Sequence, residues 1–365
     1  MSVSRYLLHT KLLHGIGASV HYRNPVLFCR LRTVEYGQKR GNKELKHSSV
    51  IITLLTAVLL LTACRQQHRQ QLTSVVGKPY EVTVVCSDPL AAALMDSVLS
   101  LAVEGLPQEE PAFDVVWVNN DTLNAATRLT RNIVWVTVDD AHGKTTGIRY
   151  ARNVWTTGQT VVYVNAPSVT SLSKAMVKHG GRMRDVLNRA EMKMALTAMG
   201  KGSNAKAEKA IDSMMQCRIK VPKDMIAMKR GRQFVWCSDN AAKGMKSLCI
   251  YTCPGLSMDE ASFCRVRDSV MRENMPGECQ GMYMQTVRQG VTARTVKAHG
   301  RTIMICCGLW EMRGDAMGGP FVAHVLADSA RQRLVVAEAF VYAPEMKKRN
   351  LMKQAEALLY TLRCR

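Results

Sequence analysis

Acidic residues are scarce in this chain. Asp and Glu number 29 against 50 Lys and Arg, and the formal net charge is +21 over 365 residues. Aromatic residues make up only 6%. A basic protein attracts polyanions, yet the longest basic run, Lys220 to Arg232 (KVPKDMIAMKRGR), contains no aromatic side chain. Bases have no platform to stack on there, so nucleic acid is not the expected partner. No C-x-x-C pair occurs among the twelve cysteines. Cys249 and Cys253 (CIYTC), with Cys237 and Cys264 nearby, come nearest to a zinc set and lack its spacing. No metal and no cofactor are expected. Also absent are the phosphate loop G-x-x-x-x-G-K-[ST], the elbow G-x-S-x-G and the helix motif H-E-x-x-H. Apolar runs stop short of the ~20 residues that a membrane-spanning helix needs.

What is present is Val50 to Cys64, VIITLLTAVLLLTAC. Ser48 to Cys64 carries no charge, and Lys43, Lys46 and His47 stand just before it. That is the layout of a secretory signal with a basic flank and an apolar centre. It ends Leu61-Thr62-Ala63-Cys64, a branched apolar residue, two small ones and a thiol. This ending is similar to a bacterial lipobox, in which the cysteine takes a thioether to diacylglycerol before cleavage. Cys64 is therefore the expected lipidation site and the first mature residue, with 50–63 as h-region and lipobox.

Residues 1–49 fit neither a signal, being too long and polar, nor a domain, having no periodic apolar pattern. They read as an over-extended gene start. The first 63 residues hold nine Lys/Arg and two Asp/Glu, which leaves +14 on the remaining 302. For an exported lipoprotein the available polyanions are lipid head groups and acidic glycans, so an anionic lipid or glycan surface is the expected partner. The sequence names no protein partner. Residues 64–75 form a polar tether, and Arg65 to Thr73 (RQQHRQQLT) lacks an acidic residue. Surface-displayed lipoproteins often carry an acidic stretch there. The expectation is thus an outer-membrane anchor facing the periplasm.

From the tether onward strands and helices follow one another. Tyr80–Cys86, Phe113–Val118, Asn132–Val138 and Thr160–Val164 are strand-like. Asp88-Pro89 opens a helix with Leu94, Val98, Leu101 and Ala102 as its apolar stripe, and Ser168 opens another that Gly180-Gly181 interrupts. Ala205–Met215 is helical, and Ser257 to Glu260 reads as a capping box. Met282–Val287, Thr292–Ala298 and Thr302–Trp310 are strands, and Phe321–Ala327 with Leu334–Tyr342 reads as a hairpin. Pro344 opens a last helix with Met352, Ala355, Leu358, Leu359 and Leu362 on one face. The class is α+β, with mixed, largely antiparallel sheets and packed helices. Two similar strand-helix-strands-helix halves, 76–200 and 233–365, are joined by a basic segment, 201–232. Ten cysteines remain besides Cys29 and Cys64. Those in strand-like runs, Cys86, Cys237, Cys249, Cys306 and Cys307, read as buried free thiols.

Few phrases carry chemistry. Met317 to Phe321 (MGGPF) offers Gly318, Gly319 and Pro320 as ligand-groove candidates, because glycine permits positive φ and close backbone approach; a structural turn is the plainer reading. Asp139-Asp140-Ala141-His142 has the groups for metal or proton transfer and equally the composition of a turn. Glu311, Asp315 and His324 flank MGGPF and are the first catalytic candidates. A cleft in which they converge favours a hydrolase of envelope glycan or lipid material. A basic face, with Arg182, Arg189 and Lys193 nearest to one stripe, favours a non-enzymatic binding or structural protein, which is the expected role.

Several phrases together resemble a known family. They are Gly77-Lys78-Pro79-Tyr80-Glu81, Leu106-Pro107-Gln108, Arg131-Asn132, Gly308-Leu309-Trp310-Glu311, Met317 to Val322, and Phe340 to Pro344 followed by Lys348-Arg349. The chain resembles the uncharacterised bacterial lipoproteins catalogued as domain of unknown function 4837. The resemblance spans nearly everything after Cys64 and implies one family-wide domain. It brings no activity, substrate or catalytic residue.

Overall fold

The computed structural model describes residues 74–365 apart from Leu123, Lys201, His299 and the side chain of His142. The expectations placed on Cys64, on 1–49, on 50–63 and on the tether as far as Thr73 lie outside the described residues. Strands β1 (Glu81–Val85), β2 (Asp114–Val118), β3 (Asn132–Val138), β4 (Gly147–Arg152) and β5 (Thr160–Ala166) form a sheet in the order β2-β1-β3-β5-β4. β1 is parallel to β2 and β3, and β3 to β5; β4 alone is antiparallel. Parallel neighbours need a crossover. Helix α1 (Pro89–Leu99) supplies it between β1 and β2, and the connection through α2 (Ala125–Arg128) supplies it between β2 and β3. α3 (Val169–Met199) follows β5.

One face of this sheet is the core of the first half. Val82, Val84, Val134, Val136, Val162 and Val164 meet Met95 and Leu99 of α1 and Leu172, Met176, Met183 and Leu187 of α3. α1 starts as read, with the Asp88 carboxylate accepting from Leu90 N at 2.8 Å and Ala91 N at 3.0 Å. Its buried side differs from the expected stripe. Ala91, Ala92, Met95 and Leu99 are buried, Leu94 and Val98 are half-buried, and Leu101 and Ala102 lie exposed beyond the helix end. Gly180-Gly181 does not interrupt α3, which runs unbroken for 31 residues. A Cβ on Gly180 would lie 2.9 Å from Val98 Cγ1. The glycine is there to let α3 approach α1.

The second sheet runs β10 (Tyr283–Ala298), β11 (Arg301–Arg313), β12 (Gly318–Asp328), β13 (Arg333–Tyr342), β9 (Met245–Pro254), β8 (Phe234–Ser238) and β7 (Ala227–Gly231), every neighbour antiparallel. The two strands expected at 282–287 and 292–298 are one strand, β10, with an irregular register between Val287 and Thr292. Helices cover both faces. α4 (Ala205–Met215) and α6 (Arg349–Leu359) pack on one face, against Ile305, Val322, Val335 and Ala337. α5 (Glu260–Asn274) packs on the other, against Tyr251, Trp310, Phe321 and Phe340. A strand buried on both sides reads as continuous apolar sequence, and β13 is buried at all of Leu334–Val341. The cap of α5 is Asp259, accepting from Ser262 N at 2.7 Å, and not Ser257. α6 starts at Arg349, after a turn beyond Pro344, and buries Met352, Ala355, Leu358 and Leu359 as expected, with Leu362 buried just past its end.

The segment 201–232 is more than a connector. It contains α4, β6 (Cys217–Arg218) and β7, and buries Ile211, Met215, Ile219, Val221 and Met225 in the core of the second half. β6 pairs with β14 (Arg363–Cys364) at the end of the chain. The class is α+β. The likeness of the halves is one of element order; their sheets differ in strand direction and number.

Candidate functional site

α3 packs against α1, β5 and α6. Its inward side buries Leu172, Met176, Met183, Leu187 and Met192. Its outward side exposes Lys174, Lys178, Arg182, Asp185, Arg189 and Lys193. At ~100° per residue these six fall within an arc of about 100°. Five of them are basic, along roughly 28 Å of helix. Sequence reading placed Arg182, Arg189 and Lys193 nearest to one stripe, left Lys178 off it and missed Lys174, because the face is set by which side the sheet buries. Val177, 88% exposed, stands at the edge of the stripe.

Buried polar groups fix the roll of α3. Glu191 is 1% exposed, and its Oε1 accepts from Arg131 Nε at 2.8 Å and Asn132 Nδ2 at 2.6 Å. Asn132 also donates to Glu81 O at 3.1 Å. Burial pushes the Glu191 carboxyl up from its ordinary range, and Arg131 and Asn132 pull against that shift. Near mid-helix, Arg184 Nη1 donates to Val98 O at 2.9 Å. The tether meets α3 near its C-terminal end: a Cβ on Gly158 would lie 3.7 Å from Met194 Sδ and 3.8 Å from Val75 Cγ2. Val75 therefore sits beside the last turns of the helix.

A cleft of about 360 Å³ opens between α3, the loop after α1, α6 and strands β10 to β12. Phe113, Pro320, Phe321 and Cys307 give its apolar wall, and Glu104, Arg184, Asn188, Arg294, Lys353 and Glu356 its polar one. Much of the polar wall is committed. Lys353 Nζ donates to Glu356 Oε2 at 3.0 Å. Burial pushes the Glu356 carboxyl up, and Lys353, His324 and Arg294 together more than offset this, leaving it below the usual range. The two halves are tied beside this cleft. Glu110 accepts from Lys348 N at 2.6 Å and Arg349 N at 3.1 Å, so a carboxylate of the first half caps α6 of the second. Arg349 Nη2 donates to Asp114 Oδ2 at 2.6 Å and holds that carboxyl below its usual range.

The three catalytic candidates do not come together. Glu311 is exposed on β11 and accepts from Gln285 Nε2 at 2.7 Å. Asp315 lies in the β11–β12 turn and accepts from Ala316 N at 2.6 Å. His324 is fully buried on β12, six rungs of the sheet beyond Gly318, the partner of Glu311. At 3.3 Å per residue that is about 20 Å. Its ring stands edge-on to Tyr360 at 4.5 Å, both ring nitrogens lack partners, and burial pushes its pKa down to about 4. The cleft-lining Glu356 pulls against that downward shift, while Glu311 and Asp315 lie at the far end of the strand pair.

Gly318 and Gly319 do not line this cleft. A Cβ on Gly319 would lie 2.0 Å from Val341 O, and one on Gly318 2.9 Å from Trp310 O. Neither has positive φ. The pair lets Trp310 fold against β13, where its indole N–H donates to Val341 O at 3.3 Å. Pro320 alone of the three lines the cleft. Asp139 caps the 3-10 turn Asp140–His142, accepting from Ala141 N at 2.9 Å. Cys249 and Cys253 lie four residues apart on β9, about 13 Å along a strand, too far to share an ion.

Comparison with known proteins divides the chain in two. Residues 204–361 match the family described as Domain of unknown function (DUF4837). Residues 75–200 match a different one, Domain of unknown function (DUF8532). The expected single family domain is thereby corrected: the named family accounts for the antiparallel half alone. No curated protein matches the chain. Among solved structures, the Saccharomyces cerevisiae Ran-binding protein Mog1p is similar over 40% of this chain and 89% of its own, at 10% identity and a TM-score of 0.28. That likeness is too slight to carry fold or function across.

Proposed function

We propose that this chain is a lipid-anchored envelope lipoprotein, held at Cys64 to the periplasmic face of the outer membrane, whose body lies on anionic lipid through the basic face of α3. The observation that carries this reading is the exposed stripe Lys174, Lys178, Arg182, Arg189 and Lys193, interrupted only by Asp185, next to the point where the tether joins the body. Nine residues lie between Cys64 and Ser74, a chain length of at most about 35 Å. Each basic side chain near an anionic surface contributes about 1 kcal/mol. Tether and stripe then act together: the anchor holds the stripe at high local concentration over the head groups. The role is one of binding or scaffolding.

Two measurements test it. Metabolic labelling with a fatty-acid probe should mark the wild-type chain and leave Cys64→Ala unlabelled; equal labelling removes the anchor. The chain from Leu72 onward should sediment with phosphatidylglycerol vesicles at 0.1 M salt and be released at 1 M, as the Debye length falls from ~10 to ~3 Å. Retention in the supernatant at low salt, or capture by acidic glycan but not by vesicles, removes the lipid surface as partner.

A further inference from the structure

We propose that Cys217 and Cys364 form a thiol–disulfide exchange site, which a small disulfide oxidant closes into a crosslink between β6 and the C-terminal strand β14. The two residues are direct partners on antiparallel strands. Such partners lie ~4.5–5.5 Å apart at Cα, inside the ~4.4–6.8 Å window that a disulfide spans. Their sulfurs are already 3.0 Å apart, with Cys217 Sγ donating to Cys364 Sγ. Closing the bond to ~2.05 Å asks for a movement of only about 1 Å.

The surroundings suit the chemistry. Cys217 is fully buried and Cys364 is 8% exposed at the rim. The strand that carries Cys364 is the end of the chain, held by Arg301 Nη2 donating to Cys364 O at 3.1 Å and by the backbone bond from Arg365 N to Gln216 O at 3.1 Å. The hydrogen bond from Cys217 holds the Cys364 thiol below its ordinary pKa, with help from Arg301 and Arg333, while Cys217 is pushed up. That makes Cys364 the attacking thiolate. It displaces one thiolate from the oxidant and forms a mixed disulfide. Cys217 gives up its proton, attacks the Cys364 sulfur and expels the second thiolate. Two protein thiols and one small disulfide thus become one protein disulfide and two small thiols, and two electrons pass to the oxidant.

Neighbouring cysteines lack this arrangement. Cys306 and Cys307 point to opposite faces of β11, one into the core beside Phe321 and the other into the cleft. The crosslink would join the start of the second half to its end, across 147 positions. Such a closure acts chiefly by restricting the unfolded chain.

The test uses the full chain and oxidised glutathione. After exposure, the protein is denatured, alkylated without reductant, digested and analysed by mass spectrometry. The expected product is a Cys217–Cys364 peptide pair lighter by two hydrogens than the two thiols. Reduction should then lower Tm by about 5 °C or more in the wild type and leave Cys364→Ser unmoved. Alkylation of both Cys217 and Cys364 after oxidation overturns the proposal. So does a Cys364→Ser protein that loses as much Tm on reduction as the wild type.

Discussion

Arg267 and Glu338 meet at 2.8 Å with neither side chain exposed. Arg267 Nε also faces both carboxylate oxygens, at 3.0 and 3.1 Å, and Nη1 donates to Thr286 Oγ1 at 2.9 Å. The Phe321 ring lies 4.2 Å from the guanidinium. This pair pins α5 to the centre of β13, and each partner is tolerable there only because of the other.

Glu338→Ala should therefore cost about 3–5 kcal/mol, since it strands a buried cation. The double substitution Arg267→Met with Glu338→Leu should recover most of that loss. Urea unfolding of the three proteins gives the comparison. A single-variant loss below ~1 kcal/mol would mean that water reaches the pair.

His324 sets a pH dependence of definite sign. Its folded pKa of about 4 lies below the ordinary value of 6.5. The unfolded chain binds the extra proton between these values, so stability rises with pH across that window. The contribution is whole above pH 6.5 and is lost as pH falls towards 4, by about 3 kcal/mol. His324→Leu should flatten this slope and raise Tm at pH 5, because an unpartnered buried imidazole is removed. Unfolding at pH 4.5, 5.5 and 7 reads the effect. An unchanged slope would show that another group carries it.

Much of the fold was legible because periodicity reports burial directly. The bounds of α4 and β3 and the buried side of α6 follow from apolar spacing alone. The misplacements share one cause. Gly180 looks like a helix break until Val98 of another helix is seen against it, and Ser257 looks like a cap until Asp259 is seen to do the work. Glu110 caps a helix 238 positions away, which no local pattern reveals. Candidate chemistry was the least legible part. Glu311 and His324 are close in sequence, yet two antiparallel strands carry them apart. The phrases Arg131-Asn132 and Gly318-Gly319 stand out because they build tight packing, around Glu191 and Trp310 respectively.

Gly319→Ala separates packing from ligand binding at MGGPF. The added methyl would lie 2.0 Å from Val341 O, so β12 must shift and the bond from Trp310 to Val341 must loosen. A loss of about 1–3 kcal/mol is expected, with a change in Trp310 fluorescence. Undiminished stability would return the glycines to the list of groove residues.

The most direct measurement of the central claim is charge reversal on α3. Arg182, Arg189 and Lys193 are exposed, so changing all three to Glu leaves the core intact. At about 1 kcal/mol for each basic residue at an anionic surface, partitioning onto phosphatidylglycerol vesicles at 0.1 M salt should fall ~100-fold or more. Equal partitioning of the reversed and wild-type proteins would contradict the account.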